Sequence, residues 1–82
     1  MILVDIYIPA VEKNFDFMLD ENVPVEQVMT EISEMISKKA MGNRMAQAED
    51  FLLCSMDTKK MLNPELSLYM NHIQDGSKLI FV

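Results

Sequence analysis

The sequence predicts an α+β domain of two layers, in which a mixed sheet of four to five strands carries one main helix on one face. Three observations lead to this prediction: an amphipathic segment over about residues 24–40, two alternating segments before it, and several short apolar segments after it. The length of 82 residues and the hydrophobic content of 50% predict a single domain, over residues 1–82, with a core of modest size.

The helix is the element against which the rest of the chain is expected to pack. Its apolar residues recur at spacings of three and four, which places them along one side of a helix. Pro24 suits the first turn because a helix start has no use for the N–H that proline lacks. Gly42 is expected to end the helix, since glycine readily adopts a left-handed conformation. The apolar side consists of Val25, Val28, Met29, Ile32, Met35 and Ile36.

Two strands are predicted before the helix. In residues 2–8 isoleucine and valine alternate with Leu3, Asp5 and Tyr7, which is typical of a strand with one apolar face. Residues 15–19 alternate in the same way. The two segments are close enough in sequence to pair as an antiparallel hairpin.

The region after the helix predicts shorter elements. Residues 43–50 are small and polar without a clear period and are interpreted as a loop. The apolar residues 51–54 predict a buried strand, and Met61–Leu62 a minimal edge strand. Residues 79–82 are all apolar, so this last strand is expected in the middle of the sheet beside the first. A short helical turn is predicted from the spacing of Leu66, Tyr69, Met70 and Ile73.

The charge balance argues against a nucleic-acid partner. A formal net charge of −6 repels phosphate backbones. Six carboxylates and no lysine or arginine lie between Asn14 and Ser37. This acidic stretch is either a solvated helix face or a docking surface for a basic partner, and the sequence leaves both interpretations open.

The sequence also predicts a cytoplasmic protein without direct membrane insertion. The start of the chain lacks the basic region of a cleavable signal peptide, and its apolar run is interrupted by Asp5. No apolar run approaches the roughly 18 residues of a membrane-spanning helix. Cys54, the one cysteine, has no partner for an internal disulfide.

No residue pattern predicts catalysis, a cofactor or a metal site. Cys54 and His72 are the only members of a conceivable nucleophile–base pair, and no local motif surrounds either. The carboxylates are placed mostly on a helix exterior, unlike a zinc ligand set. The Asp75–Gly76 pair predicts a tight turn and not a phosphate-binding loop. The nine methionines are interpreted either as gap-fillers or as parts of an adaptable binding surface.

A functional clue comes from the last strand, whose apolar residues point to both faces of the sheet. One helix covers only one face, so Ile80 and Val82 are expected to face outward, opposite to Leu79 and Phe81. Leu53 and either Leu3 or Tyr7 would extend this patch. Clustered exposed apolar side chains predict binding of a protein partner or weak formation of a homodimer. The alternative is ordinary scattered surface apolar residues.

The C-terminal half carries a resemblance to a known fold. The segment Leu66–Tyr69 (Leu-Ser-Leu-Tyr), then Ile73, then a turn before Leu79–Val82, resembles the end of the β-grasp (ubiquitin-like) fold. The resemblance implies that the Tyr69 hydroxyl pins this turn by bonding to backbone. One extra residue between Tyr69 and Ile73 departs from the ubiquitin pattern.

Within this fold, the chain resembles the small bacterial YukD-like proteins in its length and in the Pro24–Val25 start of its helix. That resemblance implies a cytosolic accessory or adaptor protein of type VII (WXG100-type) secretion, with components of that machinery as partners. A free-standing β-grasp interaction module of another cytosolic complex is the alternative. The glycines are Gly42 and Gly76, so the paired glycines that end conjugated modifiers and sulfur carriers are not expected here.

Overall fold

The computed structural model describes residues 1–39 and 51–82. The expectations for Gly42 and for residues 43–50 lie outside the described residues. The elements are strands β1 (Ile2–Ile8), β2 (Lys13–Leu19), β3 (Leu53–Ser55), β4 (Lys60–Met61) and β5 (Lys78–Phe81), and helix α1 (Val25–Lys39). A 3₁₀ turn, Pro9–Val11, joins β1 to β2.

The sheet has five strands in the order β2-β1-β5-β3-β4. Strand β1 pairs antiparallel with β2 and parallel with β5. Strand β3 pairs antiparallel with both β5 and β4. The sheet is therefore mixed, and the last strand lies in its middle beside the first, which confirms the prediction made from its all-apolar sequence.

Helix α1 covers one face of the sheet and forms the core with it. Four of the six residues on its apolar side are at most 1% exposed, because the three-and-four spacing directs them at the sheet, and the other two, Met29 and Met35, are partly buried against the core. On the sheet, the alternate residues of β1 and β5 pack against the helix and are fully buried. The Phe51 ring stacks on that of Phe81 at a centroid distance of 4.4 Å. The buried helix residues are Val25, Val28, Ile32 and Ile36, and they face Val4, Ile6, Ile8, Leu79 and Phe81.

The segment from residue 62 to residue 74 contains the predicted short helical turn, since the Asn71 N–H donates to the Ser67 carbonyl and the His72 N–H to the Tyr69 carbonyl, both at 3.0 Å. It is a series of turns in which Tyr69 and Met70 are exposed, while Leu68 and Ile73 are buried. The buried residues are five apart because the Ile73 N–H donates to the Leu68 carbonyl at 2.9 Å and closes a turn wider than a helical one. The three-and-four spacing therefore indicated the turn, but it did not indicate which of its apolar side chains are buried.

This turn segment also completes the start of α1. The first N–H groups of a helix have no partner within the helix. Here the Val25 N–H donates to the Leu66 carbonyl at 2.8 Å and the Glu26 N–H to the Pro64 carbonyl at 3.0 Å. Residues distant in sequence thus supply the cap that a side chain would otherwise provide.

Candidate binding surface

The candidate site is the open face of the sheet, the side that α1 does not cover. The strand register places four of its side chains side by side, because Tyr7 is opposite Ile80, Ile80 opposite Cys54, and Cys54 opposite Met61. Tyr7, Ile80 and Cys54 are partly exposed and Met61 is exposed. We call these four residues the apolar row.

Two further apolar side chains extend the apolar row beyond the end of β5. The Val82 N–H donates to the Leu52 carbonyl at 2.9 Å and the Leu52 N–H to the Val82 carbonyl at 2.6 Å, so the two residues are direct neighbours. Their side chains are 46% and 52% exposed. Since Phe81 and Leu53 point into the core, the alternation along the chain directs Val82 and Leu52 to the open face.

The other end of the open face carries a second apolar pair. Leu3 on β1 lies opposite Met18 on β2, and both side chains are exposed. We call them the Leu3–Met18 pair. They lie two residues along each strand from the next pair, Asp5 and Asp16.

Between the two apolar groups lies an acidic pair. Asp5 is directly opposite Asp16, and on its other side it is opposite Lys78 of β5. The Asn14 side-chain amide donates to Asp5 Oδ1 at 3.3 Å. Within residues 1–39 and 51–82, no lysine or arginine forms an ion pair with either carboxylate. The open face therefore changes from apolar to acidic to apolar along β1.

The residues predicted to form the patch fall on both sides of the sheet. Ile80, Val82, Leu3 and Tyr7 lie on the open face. Leu53 does not: it is 2% exposed and lies opposite Phe81 in the core. Its placement on the patch was wrong because the run at residues 51–54 is apolar throughout and shows no alternation from which to assign a face. The binding role of the four open-face residues stays a prediction.

The expected role of the Tyr69 hydroxyl is taken by other groups. The Tyr69 side chain is 71% exposed, and its hydroxyl makes no hydrogen bond within the part of the chain described. Instead, the Tyr69 backbone N–H donates to the Glu21 carbonyl at 3.0 Å. The turn is held by Asn71, whose side chain donates to the carbonyls of Asn63 and Ser67 and accepts from the Asn63 N–H.

Sequence reasoning missed several residues that matter on the open face. The register brings Leu52, Cys54 and Met61 to the apolar row, and Asp16 to Asp5, although these residues are far apart in sequence. The alternation in β1 and β2 was sufficient to place the two aspartates on the open face. Short strands such as β3 and β4 offer no comparable signal.

The described residues contain no arrangement suited to catalysis or metal binding. Cys54 lies on β3 and His72 in the turn segment, and no hydrogen bond joins them in residues 1–39 and 51–82. Those same ranges hold no group of three or more histidine, cysteine, aspartate or glutamate side chains placed to bind a metal ion. They also include no helix long and apolar enough to cross a membrane.

Besides the open face, the structure has a groove beside the first turns of α1. It has a volume of about 610 Å³ and is bounded by Met29 and Thr30 on the helix and by Phe51, Leu52 and Pro64 across from it. Leu52 belongs to both surfaces. This groove therefore adjoins the open face at the edge where β3 begins.

Solved structures show what class of protein this fold defines. The N-terminal ubiquitin-like domain of the 4931431F19Rik protein superposes with a TM-score of 0.73 at 26% identity, covering 99% of this chain and 72% of that one. The ubiquitin-like domain of Arabidopsis thaliana protein At2g32350 gives a TM-score of 0.74 at 15% identity, covering 99% and 74%. ATBAG1, solved in complex with HSP70, gives 0.70 at 18% identity, covering 100% and 40%. The chain is a ubiquitin-like protein with the β-grasp fold.

The family follows from the sequence. The profile of the family described as "WXG100 protein secretion system (Wss), protein YukD" matches residues 3–81. The chain belongs to this family, which links it to type VII (WXG100-type) secretion. No curated protein matches the chain significantly. Proteins of this fold and family are generally non-catalytic.

Proposed function

We propose that the protein is a non-enzymatic, cytoplasmic adaptor of a type VII (WXG100-type) secretion system. It binds a protein component of that machinery non-covalently through the open face of its sheet. The observation that carries this proposal is the apolar row, which α1 leaves uncovered in the middle of the sheet.

The apolar row exposes hydrocarbon to water. Exposed apolar surface costs free energy, about 25 cal/mol for each Å² that a partner could bury. Single exposed apolar residues are common, but here Ile80, Cys54 and Met61 are neighbours through the strand register, and Val82 with Leu52 continues the surface. A contiguous patch of this kind is typical of a protein-binding surface.

The family and the fold support the same proposal. The family is described by its secretion system, and one of the similar structures is a complex of two proteins. A partner from the secretion machinery therefore agrees with the class of protein. The open face suits binding because β5 is paired with a strand on each side, which fixes the spacing of the backbone that carries these side chains.

The test is the substitution Ile80→Asp, which places a charge in the centre of the apolar row. We expect the fold to persist, because Ile80 is partly exposed, and the affinity for the partner to fall by about tenfold or more, because a desolvated carboxylate would face the interface. The measurement is titration calorimetry and pull-down with purified cytosolic components encoded beside this gene.

The matched control is Met70→Asp, which makes a similar change on the exposed turn segment away from the open face. It should bind like the unchanged protein. Equal binding by both variants would exclude the open face as the interface. A second result would favour the alternative function. If no component of the secretion system binds, and if no genes for a secretion ATPase and small WXG-type proteins lie nearby, we infer that this protein is an interaction module of another complex.

A further inference from the structure

We infer that the partner presents a basic amphipathic helix to the open face, with an arginine or lysine seated at Asp5 and Asp16 and apolar side chains on either side. This inference rests on the proposed function and specifies the chemistry of the partner. It is carried by the order of apolar and acidic groups along β1.

The acidic pair is unfavourable in the isolated protein. Side chains directly opposite on adjacent antiparallel strands have Cβ atoms about 4.5–5.5 Å apart, and like charges at this distance repel. Asp5 receives one hydrogen bond from Asn14, at the long distance of 3.3 Å, and Asp16 none from the part of the chain described. Lys78 lies beside Asp5 but not Asp16, and a further cation placed over the pair would add two attractive interactions that offset the repulsion.

The apolar groups lie where the rest of such a helix would contact them. The Leu3–Met18 pair is on one side of the acidic pair and Tyr7 is on the other, each two residues along the strand. Two residues of a strand span about 6.6–6.8 Å, whereas helix positions four apart rise about 6.0 Å. A helix lying along β1 can therefore place an apolar, a basic and an apolar side chain on the three groups in turn.

The charges argue against a second copy of this chain as the occupant. Each copy carries a formal net charge of −6 and an acidic pair on its open face, so two copies repel one another as these faces approach. Lys78 lies on the open face too, but beside Asp5 and not Asp16. Asp16 thus remains the carboxylate most available to an external cation.

The experiment uses the full chain and two synthetic helical peptides of about 18 residues, long enough to hold helix in water. One peptide carries leucine, arginine and leucine at positions four apart on an alanine-rich helix, and the other has glutamate in place of the arginine. Binding is followed by NMR chemical-shift changes at low and high salt. We expect the arginine peptide to bind about tenfold more tightly than the glutamate peptide, to shift Leu3, Asp5 and Met18, and to weaken with salt.

The variant Asp16→Lys tests whether the partner's cation binds at Asp16, and it is not expected to unfold the protein. It replaces a like-charge pair by an opposite-charge pair, so its melting temperature should hold or rise while arginine-peptide affinity falls about fivefold or more. Glu31→Lys makes the same change of charge on the exposed side of α1 and is the matched control. It should bind the arginine peptide as the unchanged chain does.

The outcomes separate this inference from the proposed function. Equal binding of both peptides on the open face would overturn the basic helix and leave the adaptor proposal in place. The same conclusion follows if a secretion component binds the unchanged protein but not Ile80→Asp, while neither peptide binds. Shifts confined to the α1 exterior around Glu26 and Glu34, or equal losses in Asp16→Lys and Glu31→Lys, would also overturn it. Failure of the adaptor proposal is read separately, from the binding of secretion components to the unchanged protein and to Ile80→Asp.

Discussion

The position of Cys54 agrees with a place in the proposed binding surface and not with catalysis. Its side chain is partly exposed in the apolar row, flanked by Ile80 and Met61. A reactive cysteine needs a nearby cation or base that favours the thiolate. In the described part of the chain its cross-strand neighbours are apolar, so the surroundings favour a small hydrophobic side chain and not a nucleophile.

We therefore predict ordinary reactivity for Cys54. Labelling by a thiol reagent in the folded protein should proceed no faster than in the chain unfolded by denaturant, because the folded chain leaves the Cys54 side chain only partly exposed between Ile80 and Met61. The measurement is the rate of labelling with a chromogenic disulfide reagent under both conditions. A folded-state rate well above the unfolded one would contradict the non-enzymatic proposal.

The polar residue Asn71 holds the turn segment that packs against the start of α1. The turn segment that caps α1 is itself held by the Asn71 side chain, through contacts of 2.8 Å from the Asn63 N–H, 3.1 Å to the Asn63 carbonyl and 2.8 Å to the Ser67 carbonyl. Leu68, buried between these contacts, joins the segment to the core. The start of the helix is thus fixed by a loop from the other end of the chain.

The substitution Asn71→Ala should destabilise the fold by about 1–3 kcal/mol, since it removes three hydrogen bonds and leaves backbone groups without their partner. Chemical denaturation measures the change. Asn14→Ala is the control, because its side chain makes one long, exposed hydrogen bond. If the two variants lost equal stability, the turn segment would not depend on Asn71.

The same contrast explains how much of the fold the sequence could predict. Strand β1 alternates over its seven residues, residues 15–19 of β2 alternate as well, and α1 repeats its pattern over about four turns. Periodicity was therefore sufficient to predict the type of these elements and their buried side. Leu53 was misplaced because three-residue β3 has no period to follow. Asn71 was missed because its partners are set by tertiary contact and leave no pattern in the sequence.

The candidate site was predictable to a similar extent. The alternation of an all-apolar strand required one pair to face outward, and the choice of Ile80 and Val82 agrees with the burial of Leu79 and Phe81. The position of Asp16 opposite Asp5 follows from the hairpin register, which depends on the Pro9–Val11 turn and on Glu12 adopting a left-handed conformation at φ 54°. A non-glycine residue rarely adopts that conformation, so sequence alone did not indicate the register.

For the molecule as a whole, apolar attraction and net charge oppose each other. The apolar row favours contact between open faces, while a formal charge of −6 on each copy and the acidic pair beside Tyr7 disfavour it. Salt shortens the range of the repulsion, to a Debye length of about 3 Å at about 1 M, but leaves the apolar attraction intact. The balance between monomer and weak homodimer should therefore depend on ionic strength.

We predict a monomer at low salt and, at high salt, weak self-association that Ile80→Asp abolishes and Met70→Asp does not. Analytical ultracentrifugation over a range of protein and salt concentrations measures the association constant. Dimer formation that is strongest at low salt would require an ion pair between copies, and would mean that the −6 charge does not govern how these molecules meet. Because screening also weakens the expected attraction of a basic helix to Asp5 and Asp16, high salt should favour the self-associated form and low salt the partner-bound form.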